Sequence, residues 1–441
     1  MESKRLRQTS DQNRGFGFLL SLPILSWALY DFANTIFSSN ITTVFFPFYV
    51  TDTIGNTAEL EQLGNTLIAY ANALASFFLV IFSPLFGVWI DKTGYKQRYI
   101  IRFAAVSILC TVLMGLFAGW DSERMLWGMP VPFVATVLVF VLAKFFYNSS
   151  LIFYDAKISD LVPRNRLSTL SGFGVAVGYM GTLVGLLVYF WLDEGYEYVF
   201  LATAGLYLVF TLPIVFFLKE KKSVQKQASV SLLTGYKEIF STFKEIRKHQ
   251  SIFRFMVAYF FVNDAIATTI AVMSVYAVTV VGFSSGQFII LYLVSTVTAI
   301  IGSFCFGQIA HRVGAHRSFS FVALIMVIAL TIGVLATAQW MFWIAGSLFG
   351  IALGSIWVTS RILIVDLSPV EKQGQFFGLF AFSGKVSSII GPMIYGSITL
   401  VLRGYGDLAS RIALTSLIVL TLIGLLVHMA KKKTPDGMAA R

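Results

Sequence analysis

Twelve apolar runs restrict this chain more than any other feature of its sequence. They lie near residues 20–50, 66–90, 99–119, 131–157, 168–192 and 197–218, and again near 252–281, 287–310, 318–337, 341–366, 375–401 and 409–430. A helix of ~20 apolar residues crosses the roughly 30 Å hydrocarbon layer of a membrane, and each run is long enough. No water is present in that layer to satisfy backbone N–H and C=O groups, so the runs are expected to be helices. Composition agrees: charged residues make up 12% of the chain, against roughly 25% in an ordinary soluble domain. The net charge of +11 would suit nucleic acid if it were clustered on a soluble domain. Here the basic residues sit between apolar runs, and no nucleic-acid partner is expected. Cys110 and Cys305 fall inside separate runs, which gives neither a disulfide framework nor a thiolate metal site. The basic start (Lys4, Arg5, Arg7, Arg14) leads into a run far longer than the ~7–15 residue core of a signal peptide, and no cleavage is expected.

Basic residues also orient the chain, because translocation disfavours positive loops. With the N-terminus inside, 27 of the 33 Lys and Arg fall on the inner side. Arg124, Arg403 and Arg411 fall outside, and Lys144, Arg361 and Lys385 lie within runs. Both termini are therefore expected in the cytoplasm, with the chain in the cell membrane. The expected division is an N-tail (1–19), a six-helix bundle (20–218), a basic amphipathic linker (219–251), a second six-helix bundle (252–430) and a C-tail (431–441). In the linker, Leu232, Tyr236, Ile239, Phe240, Phe243 and Ile246 recur at helical spacing opposite Lys237, Lys244, Arg247 and Lys248. That pattern suits a helix lying on the inner membrane surface, with a calmodulin-like partner as the alternative.

The two sets of six repeat one another. Gly87-Val-Trp-Ile-Asp91-Lys92-Thr-Gly94 matches Gly307-Gln-Ile-Ala-His311-Arg312-Val-Gly314 at an offset of 220. Asp160-Leu-Val-Pro163, followed by Gly172, Gly178 and Gly185, matches Asp366-Leu-Ser-Pro369, followed by Gly378, Gly384 and Gly391, at an offset of 206. Two parallel six-helix repeats joined by a linker follow the plan of major facilitator transporters.

The stretch Gly87 to Arg98, G-x-x-x-D-K-x-G-x-K-x-R, resembles the cytoplasmic loop motif of that superfamily. It departs from the motif at Tyr95, and the second copy carries His311 in place of the acid. Three longer strings are similar to the vacuolar effluxer, autophagy-related branch and its bacterial relatives. They are Trp27-Ala-Leu-Tyr30-Asp31-Phe-Ala-Asn34, Asn263-Asp264, and Phe376 through Lys385 leading to Gly391-Pro392. Val262 and Ala265 depart from that branch's pattern. The resemblance implies an all-α major facilitator fold of twelve transmembrane helices and amino-acid export.

Ionisable groups deep in a span are costly unless paired or hydrated, so each is a functional candidate. Asp31, Asn34, Ser38 and Thr42 recur at intervals of three and four and predict a polar helix face. Asp31 and Asp264 fall near mid-membrane in corresponding helices, and Lys144, Asn148 and Asp155 share a face of the fourth. The expected substrate- or proton-binding set is Tyr30, Asp31, Asn34, Lys144, Asn148, Asn263, Asp264 and Lys385. The aspartates would meet a cation or a coupling proton and the lysines a carboxylate, which together suit a zwitterion. Asp155 and Arg361 each stand five residues before the repeated D-L-x-P and are expected to meet at an inner gate. Asp91, Lys92, Lys96 and Arg98, in the loop that turns at Gly94, with Asp160, and Arg312 with Asp366, are expected to latch the same face. The competing reading is that all these charges simply hold helices in register. No Walker loop, catalytic triad or metal-ligand spacing stands in the sequence, so no enzyme activity, cofactor or metal is expected. A gradient-driven monomeric carrier of a small solute, surrounded by lipid, is the leading expectation. A membrane nutrient sensor on the same fold is the second.

Overall fold

The computed structural model describes residues 16–54, 58–189, 195–220 and 250–430. A 3-10 turn, Phe16–Leu20, leads into α1, which is α-helical over Leu22–Phe37, π-helical over Ser38–Phe45 and α-helical again over Phe46–Ile54. There follow α2 (Ala58–Thr93), α3 (Gln97–Ala118), α4 (Val131–Leu161), α5 (Leu167–Gly185) and α6 (Tyr196–Phe217). The second set is α7 (Gln250–Thr279), α8 (Ser285–Val313), α9 (Ala315–Leu335), α10 (Gln339–Leu367), α11 (Gln373–Val401) and α12 (Asp407–Met429). Eleven of these are long and apolar enough to cross a membrane as unbroken segments. α1 makes the twelfth among the described residues, its α-helical stretch interrupted by the π segment. A short hairpin, β1 (Met125–Leu126) with β2 (Met129–Pro130), links α3 to α4. Most of the amphipathic linker, 221–249, lies outside the described residues, as do 1–15 and 431–441.

α2 starts eight residues before its apolar run. The other ends follow local chemistry. Pro23 and Pro132 sit in the first turns of α1 and α4, where a missing N–H costs nothing. α8 begins with a capping box: Ser284 Oγ accepts from the Gln287 N–H at 3.2 Å, and Gln287 Oε1 accepts from the Ser284 N–H at 2.9 Å. α4 and α10 end alike, in an extended residue before Pro163 or Pro369 and then a single 3-10 turn. Gly94 and Gly314 turn the chain after α2 and α8 with φ of +66° and +87°, a region L side chains avoid. The sequence repeat is thus a repeat of turns as well.

Packing follows the same symmetry. In the first set α1 lies against α5 and α6, α3 against α4 and α6, and α2 against α4. In the second set α7 lies against α11 and α12, α9 against α10 and α12, and α8 against α10. The main contacts between the sets are again a symmetric pair, α2 with α11 and α5 with α8. Two glycine crossings make them close. A Cβ on Gly378 would sit 3.2 Å from the Cα of Gly87, and one on Gly172 would sit 2.9 Å from the Cα of Gly307. Gly87 and Gly307 are repeat equivalents, as are Gly172 and Gly378, so one crossing is the copy of the other. Both lie toward the end of the bundle that carries the Gly87–Arg98 loop, called here the loop end.

Candidate functional site

The two halves meet near the loop end over a buried ion pair. Arg361 Nη2 of α10 lies 2.7 Å from Asp155 Oδ1 of α4. The guanidinium stands 5.5 Å from the Trp27 ring centre and 5.3 Å from that of Tyr154, a cation–π arrangement on two rings that are themselves stacked 4.7 Å apart. Trp27 is fixed in turn by its indole N–H, which donates to the Tyr154 carbonyl at 3.3 Å. Arg361 Nη1 is buried without a hydrogen-bond acceptor among the described residues, and Asp31 of α1 is within electrostatic reach of both Arg361 and Asp155. One guanidinium from the second half is thus paired with one carboxylate of the first and within electrostatic reach of another.

The polar face expected on α1 is present, with one change of membership. Asp31, Thr35, Ser38 and Thr42 are its partly exposed residues, at spacings of four, three and four. Asn34 is instead 1% exposed, its Oδ1 accepting from the Tyr207 hydroxyl of α6 at 2.9 Å. On a 100° per residue wheel it sits ~60° from Asp31, enough to turn it into the half's own core. Tyr30 is likewise core: it is fully buried, donates to Ser150 Oγ at 2.8 Å and packs on Tyr154. Both are bonded inside the first half instead of being left for a substrate as expected.

The pair in α7 is also corrected. The Asn263 amide donates to the Gly384 carbonyl at 2.9 Å and to Ser387 Oγ at 2.8 Å, and its Oδ1 accepts from Tyr259 at 3.1 Å. Asp264 is fully buried and accepts from the Gly391 N–H at 2.7 Å. Both fasten α7 to α11 inside the second half. Nor are Asp31 and Asp264 counterparts. Gly178 abuts Asp31 and Thr35, and its equivalent Gly384 abuts Tyr259 and Asn263. Gly185 abuts Ile36 and Asn40, and its equivalent Gly391 abuts Asp264 and Thr268. All four pairings share an offset of 228, so Asp31 corresponds to Tyr259 and Asp264 to Ile36. Asp31 is the tenth residue of its helix and Asp264 the fifteenth, a difference of ~7.5 Å along the axis.

Lys144 and Lys385 are half-buried, come from opposite halves and are electrostatic neighbours of each other. Lys144 Nζ hydrogen-bonds Asn72 of α2, and the buried Asn148 donates back to the Lys144 carbonyl at 2.8 Å. Asp31, Lys144 and Lys385 are thus the charged members of the expected set that remain partly exposed between the halves.

At the loop end Asp91 accepts from the backbone N–H groups of Gly374 (2.6 Å) and Gln375 (2.9 Å), the first turn of α11. A carboxylate at a helix N-terminus meets unpaired donors and the positive end of the helix dipole, so this contact ties one half to the other. Lys96 bonds Asp160 Oδ1 at 3.0 Å, and Lys157, which the sequence did not single out, lies 3.3 Å from Asp160 Oδ2 and 3.7 Å from Glu220 Oε2. Glu220 also accepts from the backbone N–H groups of Lys96 and Arg98 at 3.3 and 2.9 Å. Burial holds the Lys96 ammonium below its ordinary pKa, with Asp160 opposing the shift. Lys92 closes the last turn of α2 just before Gly94. The second copy differs: Arg312 is exposed and forms no ion pair with Asp366 among the described residues, and the basic neighbour of Asp366 is Arg164. With His311 in place of Asp91 the second copy has no carboxylate to offer α5, so the contact is made on one side only.

Comparison with known proteins agrees with this architecture. A family model described as "Vacuole effluxer Atg22 like" matches residues 160–434, and one described as "Sugar (and other) transporter" matches residues 7–229. The chain is similar to the uncharacterized MFS-type transporter YxiO of Bacillus subtilis, 25% identical over 91% of this chain and 93% of that one. It is also similar to autophagy-related protein 22 of Coccidioides immitis, 24% identical over 58% of this chain and 47% of the relative. Among solved structures, a bacterial homologue of the iron transporter ferroportin in an outward-facing state superposes with a TM-score of 0.72 at 14% identity, covering 93% of this chain and 99% of that one. That likeness shows the fold. The chain belongs to the major facilitator superfamily, in its Atg22-like branch, and is a multi-pass membrane transporter rather than an enzyme.

Proposed function

We propose that this protein exports a small solute, amino acids being the class its branch suggests, by proton-coupled alternating access across the cell membrane. The loop end and both termini face the cytoplasm, and the bundles 20–218 and 252–430 rock about the central cleft of a single copy. The observation that carries this reading is the contrast along the cleft. At the loop end the halves are joined by two glycine crossings, the Asp155–Arg361 pair and the Asp91 contact, while Asp31, Lys144 and Lys385 remain partly exposed between them. A seal at one end with partly exposed charges beyond it is what one state of an alternating-access cycle requires. Asp31 is the proton site: it is within electrostatic reach of a guanidinium already paired with Asp155, so protonation of Asp31 changes how strongly that cation is held.

Flux in proteoliposomes loaded with an amino-acid panel, with and without an imposed pH gradient, tests the reading. The expected result is saturable efflux that the gradient accelerates, and an Asp31→Asn carrier that folds but no longer responds to it. Gradient-independent transport by both proteins would remove proton coupling. Ligand binding with no flux at all would replace the carrier by a sensor.

A further inference from the structure

Lys144 and Lys385 project from α4 and α11, which also pack against each other across the interface. Both are half-buried, the Lys385 charge is within electrostatic reach of Lys144, and Lys144 stands 6.0 Å over the Phe140 ring. Among the described residues neither ammonium has a carboxylate within ion-pair distance. The membrane-depth acids are engaged elsewhere: Asp155 pairs with Arg361, Asp31 is within electrostatic reach of the same guanidinium, and Asp264 is fully buried against Gly391. Two like charges held close at membrane depth repel, and an anion between them relieves that repulsion.

We infer that Lys144 and Lys385 clamp an oxyanion of the cargo, one lysine from each half, and that the cargo is an organic anion of net negative charge. The inference rests on reading the cleft as the transport site. Distances along the helices separate it from a neutral amino acid. Lys144 and Asp155 are eleven residues apart on α4, ~16 Å of rise, and Asp31 lies at the Asp155 end. In an α-amino acid the nitrogen and the carboxyl carbon are two bonds, about 2.5 Å, apart. A zwitterion whose carboxylate sits in the clamp therefore places its ammonium among the lysines, whose like charge repels it. A dicarboxylate or a phosphate ester carries no such cation. A clamp with one jaw per half also binds best when the halves approach, so its occupant favours closure over the opened state.

The test is binding to the full-length protein in detergent, by calorimetry and by thermal stabilisation, with succinate, glutamate, glucose 6-phosphate, leucine and chloride as probes. Succinate, glucose 6-phosphate or both are expected to bind more tightly than leucine, the pair distinguishing a carboxylate cargo from a phosphate one. Lys144→Gln and Lys385→Gln are each expected to weaken that binding by about tenfold or more, the scale of a lost charge-assisted hydrogen bond. Lys385→Arg, which keeps the charge, is expected to restore part of it and controls for folding. Leucine binding that equals or exceeds that of the anions and is unchanged in both glutamine variants overturns the clamp, as does binding of chloride alone or of no probe. Lysine-dependent anion binding without flux in liposomes keeps the clamp and refutes the carrier. Export of neutral amino acids, undiminished in the glutamine variants, does the reverse.

Discussion

Replacing Asp155 by asparagine leaves the Arg361 guanidinium at the loop end with its charge but without its closest counter-charge. Removing one partner of a buried ion pair costs about 3–5 kcal/mol, because the remaining charge is desolvated and uncompensated. Here the Asp155 side chain is 24% exposed and that of Arg361 9%, and Asp31 stands close enough to take part of the load. About 2 kcal/mol is therefore the reasonable expectation, discounted for that exposure. If the pair forms only when the loop end is shut, 2 kcal/mol shifts the balance toward opening by roughly thirtyfold. Ser171 provides a reporter: it is fully buried, and its hydroxyl reaches the Val358 carbonyl of the other half at 3.3 Å. In a background lacking Cys110 and Cys305, alkylation of Ser171→Cys is expected to accelerate by about ten- to thirtyfold when Asp155→Asn or Arg361→Gln is added. The exchange Asp155→Arg with Arg361→Asp is expected to return part of the protection. Unchanged alkylation in both single variants would show that the pair does not hold the loop end closed.

Two further outcomes follow from packing. Gly172→Val is expected to abolish closure of the loop end and with it flux, because its Cβ would lie 2.7 Å from the Ser303 carbonyl oxygen, a backbone atom with nowhere to retreat; alkylation of Ser171→Cys in that variant, compared with flux, checks it. Asn263→Ala is expected to lower thermal stability by about 1–3 kcal/mol through loss of the α7–α11 fastener, while substrate affinity per folded molecule stays within a factor of two; a melt and a binding isotherm on the same preparation decide between this structural role and the substrate-binding role read from the sequence.

Much of the design is already legible in the residues. Twelve runs long enough for a bilayer leave the backbone no alternative to helices, and two offsets, 220 and 206, declare the halves. Those offsets also marked the glycines at both interfacial crossings and put Asp155 and Arg361 at equivalent places, where the structure joins them. Position relative to a repeated motif is a one-dimensional property, and a sequence carries it directly.

Which way a side chain faces is a different kind of information. In a water-soluble helix the apolar stripe names the buried face, but in a membrane helix the lipid side and the core side are equally apolar, so periodicity loses its sign. Tyr30, Asn34, Asn263 and Asp264 look like cavity residues because they are polar and deep. The structure spends them on bonds within each half, and the charged members of that set still partly exposed among the described residues are Asp31, toward the buried pair of Asp155 with Arg361, and Lys144 and Lys385, away from it. The true register of α1 against α7, an offset of 228, is likewise carried by contacts with equivalent glycines and by no shared string of residues. The sequence by itself determined the helices, their number and the repeat, since apolar length and turn chemistry are local. The tertiary structure alone decided which polar groups satisfy one another and which stay partly exposed, because that depends on what each helix face meets.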